Sequence, residues 1–310
     1  MYKSKRICLP PFEVEKVVST LSQVTGWGLQ ELLVPDTWKV TEGEGQLVYV
    51  IDTGTPQHVD LEDSIDLGNC RNFTREKTIY DGNGHSTHCV GVITANNNEF
   101  GMVGVAPKST VVCAKSLASD GSGAIKYFQR ALEYALLLKP NVISMSLGFS
   151  DYNGTIHDII KELYRMNIPL IAAAGNSGLR SGDSIQYPAK YPECISVAAF
   201  DETGNIADFS SKGERVDVTA PGVEVYSTWL NNEYAMLSGT SMACPFVSGV
   251  TALLLAKHKK QEQLTGKNDC RTVEEIRQHL TKYATDKGLI GKDREFGYGV
   301  INPSKLLLEE

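Results

Sequence analysis

The sequence predicts an α/β fold built on a parallel sheet with helices over both faces. Two observations carry that prediction. Short, near-continuous apolar runs recur along the chain, as strands buried on both faces require. Between them lie segments whose apolar residues repeat with the helical period. Strands are expected at Gln46 to Ile51, Thr110 to Lys115, Val142 to Met145, Pro169 to Ala174, Cys194 to Ala199 and Val216 to Thr219. Helices are expected at His85 to Ala95, Gly123 to Leu138, Ile156 to Met166, Ser241 to His258 and Thr272 to Tyr283. In the second of these, apolar residues fall at positions 124, 125, 127, 128, 131, 132, 135 and 138, one face of a helix. Lys257 to Asp269 is polar and charged and reads as an exposed connection. Residues 1–20 precede the α/β pattern and read as a separable extension, leaving 21–310 as the main domain.

Bulk properties narrow the class. A chain of 310 residues can bury a substantial core as one large domain or two small ones. Hydrophobic content of 42% and charged content of 22% are those of a globular protein. The net charge of −7 argues against non-specific nucleic-acid binding. No run of eighteen apolar residues occurs, so no membrane span is expected. The basic start, Met1 to Arg6, is followed by too short an apolar stretch for a secretory signal. Seven scattered cysteines without a Cys-x-x-Cys pair argue against a disulfide framework or a structural zinc site. Buried free thiols in a reducing compartment, the cytoplasm, are the expectation.

Three motifs, each at the end of an element, carry the chemistry. Asp52 closes an apolar strand in Val50-Ile51-Asp52-Thr53-Gly54. His85 opens a helix in Gly84-His85-Ser86-Thr87-His88, and Ser241 opens another in Gly239-Thr240-Ser241-Met242. Strand C-termini and helix N-termini meet at one edge of an open parallel sheet, so the three side chains would converge there. A serine hydroxyl is a poor nucleophile until a base removes its proton. His85 would be that base, with Asp52 holding its tautomer and stabilising the imidazolium. Taken singly, each motif has a plainer reading: a turn-forming Asp, a helix-capping Ser, and a structural role for His88. Their joint occurrence favours the triad. A fourth motif, Ala172-Ala173-Ala174-Gly175-Asn176-Ser177-Gly178, places an amide after a small-residue strand. Asn176 could donate to a developing oxyanion beside the Ser241 N–H; otherwise it is an Asn-Ser-Gly turn.

These residues resemble the subtilisin family of serine proteases over about residues 25 to 307. Supporting segments are Val103-Gly104-Val105-Ala106-Pro107, Ser144-Met145-Ser146-Leu147-Gly148, Val218-Thr219-Ala220-Pro221-Gly222 and Phe296-Gly297-Tyr298-Gly299-Val300-Ile301-Asn302. The resemblance implies a three-layer, doubly wound fold with a mostly parallel central sheet, and peptide-bond hydrolysis through an acyl-enzyme. Within the family the chain is most similar to the intracellular subtilisins of bacilli, through Leu9-Pro10-Pro11-Phe12. In that subgroup a short extension crosses the active site, which implies an inhibitory role for residues 1–20. A proline also lacks the N–H that strand pairing in a cleft needs. The plainer reading is a disordered tail that contains two prolines.

The same resemblance assigns Gly121, Ser122 and Gly123 to one substrate-binding edge and Ser146, Leu147 and Gly148 to the other. Such edges take an extended polypeptide by strand addition. Ala173 and Gly175 would line the pocket for the residue before the cleaved bond, and Gln186 would shorten its floor. A structural Ca²⁺ is implied at Asp60, Asn98 and the carbonyls of Asn96, Phe100 and Met102, all hard oxygen donors. The residue completing that shell from the N-terminal side is not identifiable in the sequence. A homodimer is implied by the family alone. Ser86 beside His85, Cys89, Cys244, Phe246 and Phe149 depart from the family pattern, and Cys89 and Cys244 read as buried packing residues. Two other readings stand beside a general endopeptidase: a dedicated processing protease for one leader or proprotein, and a catalytically silent subtilase acting as a binding or regulatory protein.

Overall fold

The computed structural model describes residues 6–18 and 22–309. Positions 1–5 and 19–21, which include both ends of the expected extension, lie outside the described residues, as does 310. The chain opens with strands β1 (Arg6–Cys8) and β2 (Glu13–Val18) and short helices α1 (Trp27–Glu31) and α2 (Val34–Thr37). There follow β3 (Leu47–Asp52), β4 (Arg71–Asn72), α3 (His85–Thr94), β5 (Thr110–Lys115), β6 (Ser122–Ala124), α4 (Ile125–Leu138), β7 (Val142–Met145), α5 (Gly154–Arg165) and β8 (Leu170–Ala173). The second half holds β9 (Cys194–Phe200), β10 (Val218–Pro221), β11 (Val225–Thr228), β12 (Tyr234–Ser238), α6 (Thr240–Thr265), α7 (Val273–Lys282) and α8 (Pro303–Leu308).

The six expected strands all enter one parallel sheet of seven, ordered β10-β9-β8-β7-β3-β5-β4. Strands β7 to β10 are buried along their whole length, which is why they read as unbroken apolar runs. Helix α6 packs on α3 and along β7 to β10, while α4 packs on α5. The result is a three-layer α/β fold, and it brings the C-terminal end of β3 beside the first residues of α3 and α6. Part of α6 is long and apolar enough to cross a membrane, but that stretch is the core helix and is buried.

Two expectations need correction. Helix α6 continues to Thr265, so the polar stretch from Lys257 is mostly helix and not a connection. Its Lys, Gln and Glu residues are good helix formers, and the stop is Gly266, left-handed at φ 76°, whose N–H returns to the Glu262 carbonyl. Helix α4 begins at Ile125 and not Gly123, because residues 122–124 are drawn into strand pairing with β1. Beside the two-stranded β1-β6 sheet, a second small antiparallel sheet, β11-β12-β2, joins the extension to the strand preceding Ser241.

Candidate active site

Asp52, His85 and Ser241 converge as the motifs predict, and all three are buried. His85 Nδ1 lies 2.8 Å from Asp52 Oδ1 and 3.0 Å from Oδ2. The Thr53 N–H donates to the same carboxylate at 2.7 Å. The turn into α3 depends on Gly84, whose φ of 99° is left-handed; a β-carbon there would meet the Trp229 ring at 2.5 Å. Burial alone would disfavour a charged His85 ring, but the Asp52 carboxylate and Cys89 outweigh it. The pKa is therefore well above the ordinary histidine value. His88, one turn away, is held neutral by burial at about 3 and bonds the Val225 carbonyl at 2.8 Å. It is a structural residue, as expected.

Pro245 explains much of the packing around the nucleophile. It lacks the N–H that would bond the carbonyl four residues earlier, that of Ser241. That carbonyl accepts instead from Ser146 Oγ at 2.9 Å and Cys89 Sγ at 3.4 Å. Cys89 thus fastens the backbone of the nucleophile, and burial raises its thiol pKa. Cys244 is buried too, its thiol pushed up to about 11. Ser86 does not crowd the catalytic ring, because its hydroxyl donates to the Gly54 carbonyl at 2.5 Å.

Asn176 lies beside the start of α6. Its Oδ1 accepts from Thr240 N at 3.0 Å and from Thr240 Oγ1 at 2.8 Å, which fixes the amide so that Nδ2 points outward. Thr240 Oγ1 in turn accepts the Gly175 N–H at 3.1 Å. Thr240 is therefore a positioning residue; its place in the Gly239-Thr240-Ser241 motif was the only signal for it.

Residues 121–123 and 146–148 flank a groove, and the described start of the extension lies in it. Strand β1 pairs antiparallel with β6, with Ile7 opposite Gly123 and Cys8 opposite Ser122. Leu9 N donates to the Gly121 carbonyl at 3.0 Å. On the other side Cys8 and Gly148 exchange both backbone bonds, at 3.1 and 2.9 Å. Asn176 Nδ2 then donates to the Pro11 carbonyl at 2.6 Å, and the Phe12 ring lies 5.1 Å from the His85 ring. Beyond the catalytic residues β2 pairs with β12, Glu13 opposite Ser238. In this arrangement His85 Nε2 has no hydrogen-bond partner among the described residues, and Ser241 Oγ donates to the Ser146 carbonyl at 3.3 Å.

Leu147 is buried beneath its edge, and Ala173 is buried at the end of β8, two residues before Gly175. Gln186 lies across the gap between Gly148 and Gly175. A β-carbon on Gly148 would meet its Oε1 at 2.2 Å, and one on Gly175 would meet its side chain at 3.0 Å. Phe149 stacks on Tyr187 just outside.

A second oxygen-rich site forms around Asp60. Its buried carboxylate accepts from Asn98 Nδ2 at 2.7 Å, Met102 N at 2.9 Å and the Tyr234 hydroxyl at 3.3 Å, and burial raises its pKa. The Asn96 N–H donates to the Asp60 carbonyl at 3.0 Å. Gln23 runs alongside the loop, its N–H on the Glu99 carbonyl and its Nε2 on Asn97 Oδ1. Its Oε1 is buried without a partner among the described residues. Gln23 thus brings an amide oxygen to this loop from the N-terminal side, where the sequence identified no donor. It meets Asn97 across 74 residues, and no local motif marks it.

A carboxylate–imidazole pair, a serine at a helix start and an aimed amide beside a peptide-binding groove define a serine peptidase. The subtilase family model matches residues 43–299. The chain is 36% identical over 282 residues to subtilisin BL of Lederbergia lenta, covering 91% of this chain and 98% of that one. It is 35% identical over 291 residues to the M-protease of Shouchella clausii, 94% of this chain and 72% of that one. To the minor extracellular protease Epr of Bacillus subtilis it is 33% identical over 276 residues, 89% of this chain but only 40% of Epr. The chain belongs to the subtilase family and is a subtilisin-like serine endopeptidase, a hydrolase acting on polypeptides.

Proposed function

We propose that this peptidase is self-inhibited by its extension, residues 1–20: the described part from Arg6 on occupies the cleft, and the extension must be removed before a substrate can enter. The observation that carries the proposal is the 2.6 Å bond from Asn176 Nδ2 to the Pro11 carbonyl, which commits the oxyanion donor to the chain's own extension. The register supplies the reason the extension persists. Because Cys8 and Gly148 form a hydrogen-bonded antiparallel pair, the next such pair is residue 10 with Ser146. Residue 10 is proline and has no N–H to give. The Ser146 carbonyl is left for the Ser241 hydroxyl, so the nucleophile is bonded away from its base. The carbonyl on Asn176 then belongs to Pro11, one residue past that register position.

Once the groove is free, an extended polypeptide adds as a strand between residues 121–123 and 146–148. Ser241 Oγ attacks the carbonyl carbon while its proton passes to His85 Nε2, and Asp52 holds the Nδ1 proton. The tetrahedral oxyanion receives the Asn176 Nδ2 and Ser241 N–H bonds. His85 then gives its proton to the leaving amine as the C–N bond breaks. Water, deprotonated by the same imidazole, hydrolyses the acyl-enzyme and restores the serine.

We also assign a structural Ca²⁺ to Gln23 Oε1, Asp60, Asn98 and the carbonyls of Asn96, Phe100 and Met102, a set of hard oxygen donors. The orphaned Gln23 oxygen and the buried Asp60 carboxylate support it. The free thiols, six of them buried, favour a reducing compartment such as the cytoplasm, which detection of the protein in cell fractions would check.

The deciding experiment compares casein hydrolysis by the full chain, by a chain starting at Ser22 and by the Ser241→Ala form of each, with calcium present. Activity confined to the shortened chain and abolished by the substitution is expected. A shortened chain no more active than the full one would overturn self-inhibition. A folded shortened chain without activity on any substrate, and unlabelled by a fluorophosphonate, would favour a silent binding protein.

A further inference from the structure

Far from the catalytic cleft, the end of α6 and the start of α7 bring three metal-ligating side chains together. His258 is fully buried on α6, Cys270 is buried in the connection, and His279 is half-buried on α7. One ligand atom from each lies within 4.8 Å of the other two. The two imidazole rings approach at 5.4 Å with planes 77° apart, so they are angled and not stacked. His279 Nδ1 bonds the Glu275 carbonyl at 2.9 Å. A carbonyl only accepts, so the ring proton sits on Nδ1 and the lone pair on Nε2. A backbone partner of this kind fixes the tautomer of many metal-bound histidines.

The connection is held in place independently of the trio. The Cys270 N–H donates to Asn268 Oδ1 at 2.9 Å, and Asn268 Nδ2 donates to Glu262 at 3.0 Å. Arg271 pairs with the other Glu262 oxygen at 2.8 Å, and Thr272 and Glu275 cap α7 reciprocally. A cavity of about 430 Å³, lined by Asn141, Glu262, Asn268 and Cys270 among others, opens beside Cys270.

We propose that His258, Cys270 and His279 bind Zn²⁺, with a water from that cavity in the fourth position. One thiolate and two neutral imidazoles suit zinc. Tetrahedral coordination at roughly 2.1 Å to nitrogen and 2.3 Å to sulfur sets the donor atoms about 3.5 Å apart, so the trio has only to draw in by about 1 Å. Binding deprotonates Cys270, and that proton leaves to solvent. The ion would staple the far end of the helix that begins at the nucleophile. The scattered cysteines argued against a zinc site because no two are closely spaced; here one cysteine and two histidines meet only through the fold.

The test is cobalt titration of the full-length Ser241→Ala chain, saturated with calcium, followed by displacement with zinc. One equivalent of cobalt should give a thiolate-to-metal charge-transfer band that equimolar zinc removes. The band should vanish in Cys270→Ser, and cobalt should bind at least tenfold more weakly in His279→Gln. It should survive Cys89→Ala, because Asp52, His85 and Cys89 form the other compact donor cluster among the described residues. Absence of a one-equivalent band in the parent chain would overturn the proposal whatever the variants do, leaving a hydrogen-bonded trio. Loss of the band in Cys89→Ala would overturn it too, by moving the metal to the catalytic cluster.

Discussion

Thr240 and Asn176 form a two-point contact in which the threonine's N–H and hydroxyl both donate to the amide oxygen, at 3.0 and 2.8 Å. The amide nitrogen is thereby aimed into the groove, where it meets Pro11. On the proposed mechanism, extension and transition state would therefore compete for one donor.

Asn176→Ala should act on both. In the shortened chain kcat should fall with KM little changed, by the roughly 10²–10³-fold known for the corresponding donor in subtilisin. The same substitution should weaken inhibition by an added peptide of residues 1–21. Steady-state kinetics on one peptide substrate reads both effects, and an unchanged kcat would remove Asn176 from the oxyanion site.

Pro10→Ala should convert the inhibitor into a substrate. It restores the N–H opposite the Ser146 carbonyl and so releases the Ser241 hydroxyl to His85. The full-length variant should acquire a new N-terminus within the extension, seen by mass spectrometry, and its casein activity should rise toward that of the shortened chain. An intact N-terminus and silent enzyme would locate the block elsewhere.

The Asp52–His85 pair makes stability depend on pH in a definite direction. The folded pKa of His85 is raised above the unfolded value of about 6.5. Its stabilisation is thus complete below pH 6.5 and is lost as pH rises through the folded value. Melting of the full-length Ser241→Ala chain should show a fall in Tm beginning above about pH 6.5. Asp52→Asn should flatten that slope, and a parent Tm that climbs over the same range would contradict the assignment.

Calcium should stabilise the chain through Gln23 as well as Asp60. At a hundredfold excess over Kd a ligand adds about 2.7 kcal/mol, a rise of roughly 4 °C in a protein of this size. Asp60→Asn should abolish the response, and Gln23→Ala should shift it to higher calcium. A parent chain whose Tm ignores both calcium and a chelator would leave the loop a metal-free turn.

Gln186→Ala should lengthen the pocket between Gly148 and Gly175. In the shortened chain, kcat/KM for a peptide with Phe before the cleaved bond should rise relative to Ala, on the order of tenfold. No change in that ratio would mean the side chain swings aside at no cost.

The sequence was most legible where local pattern and tertiary role coincide. Strands β7 to β10 announce themselves because both faces are buried, and Asp52, His85 and Ser241 because each sits where an element begins or ends. Strands β1, β2, β4, β6, β11 and β12 went unread. They are short, and what makes them strands is pairing with remote partners, as Arg6 with Ala124 or Val14 with Leu237. Gln23 and the His258, Cys270 and His279 trio were hidden for the same reason. The length of α6 was misjudged because a polar, exposed helix end looks like a loop until its left-handed Gly266 is seen.

Strand β2 is the outer member of its small sheet, and β12 behind it leads straight through Gly239 to Ser241. Removing the extension therefore leaves a raw edge, a row of unsatisfied amides and carbonyls beside the nucleophile. That row welcomes the trailing half of a substrate, but it would also welcome a neighbouring molecule. The cut that would switch the enzyme on under the proposed self-inhibition should also make it self-associating, and concentration should matter to the shortened chain in a way it does not to the full-length one.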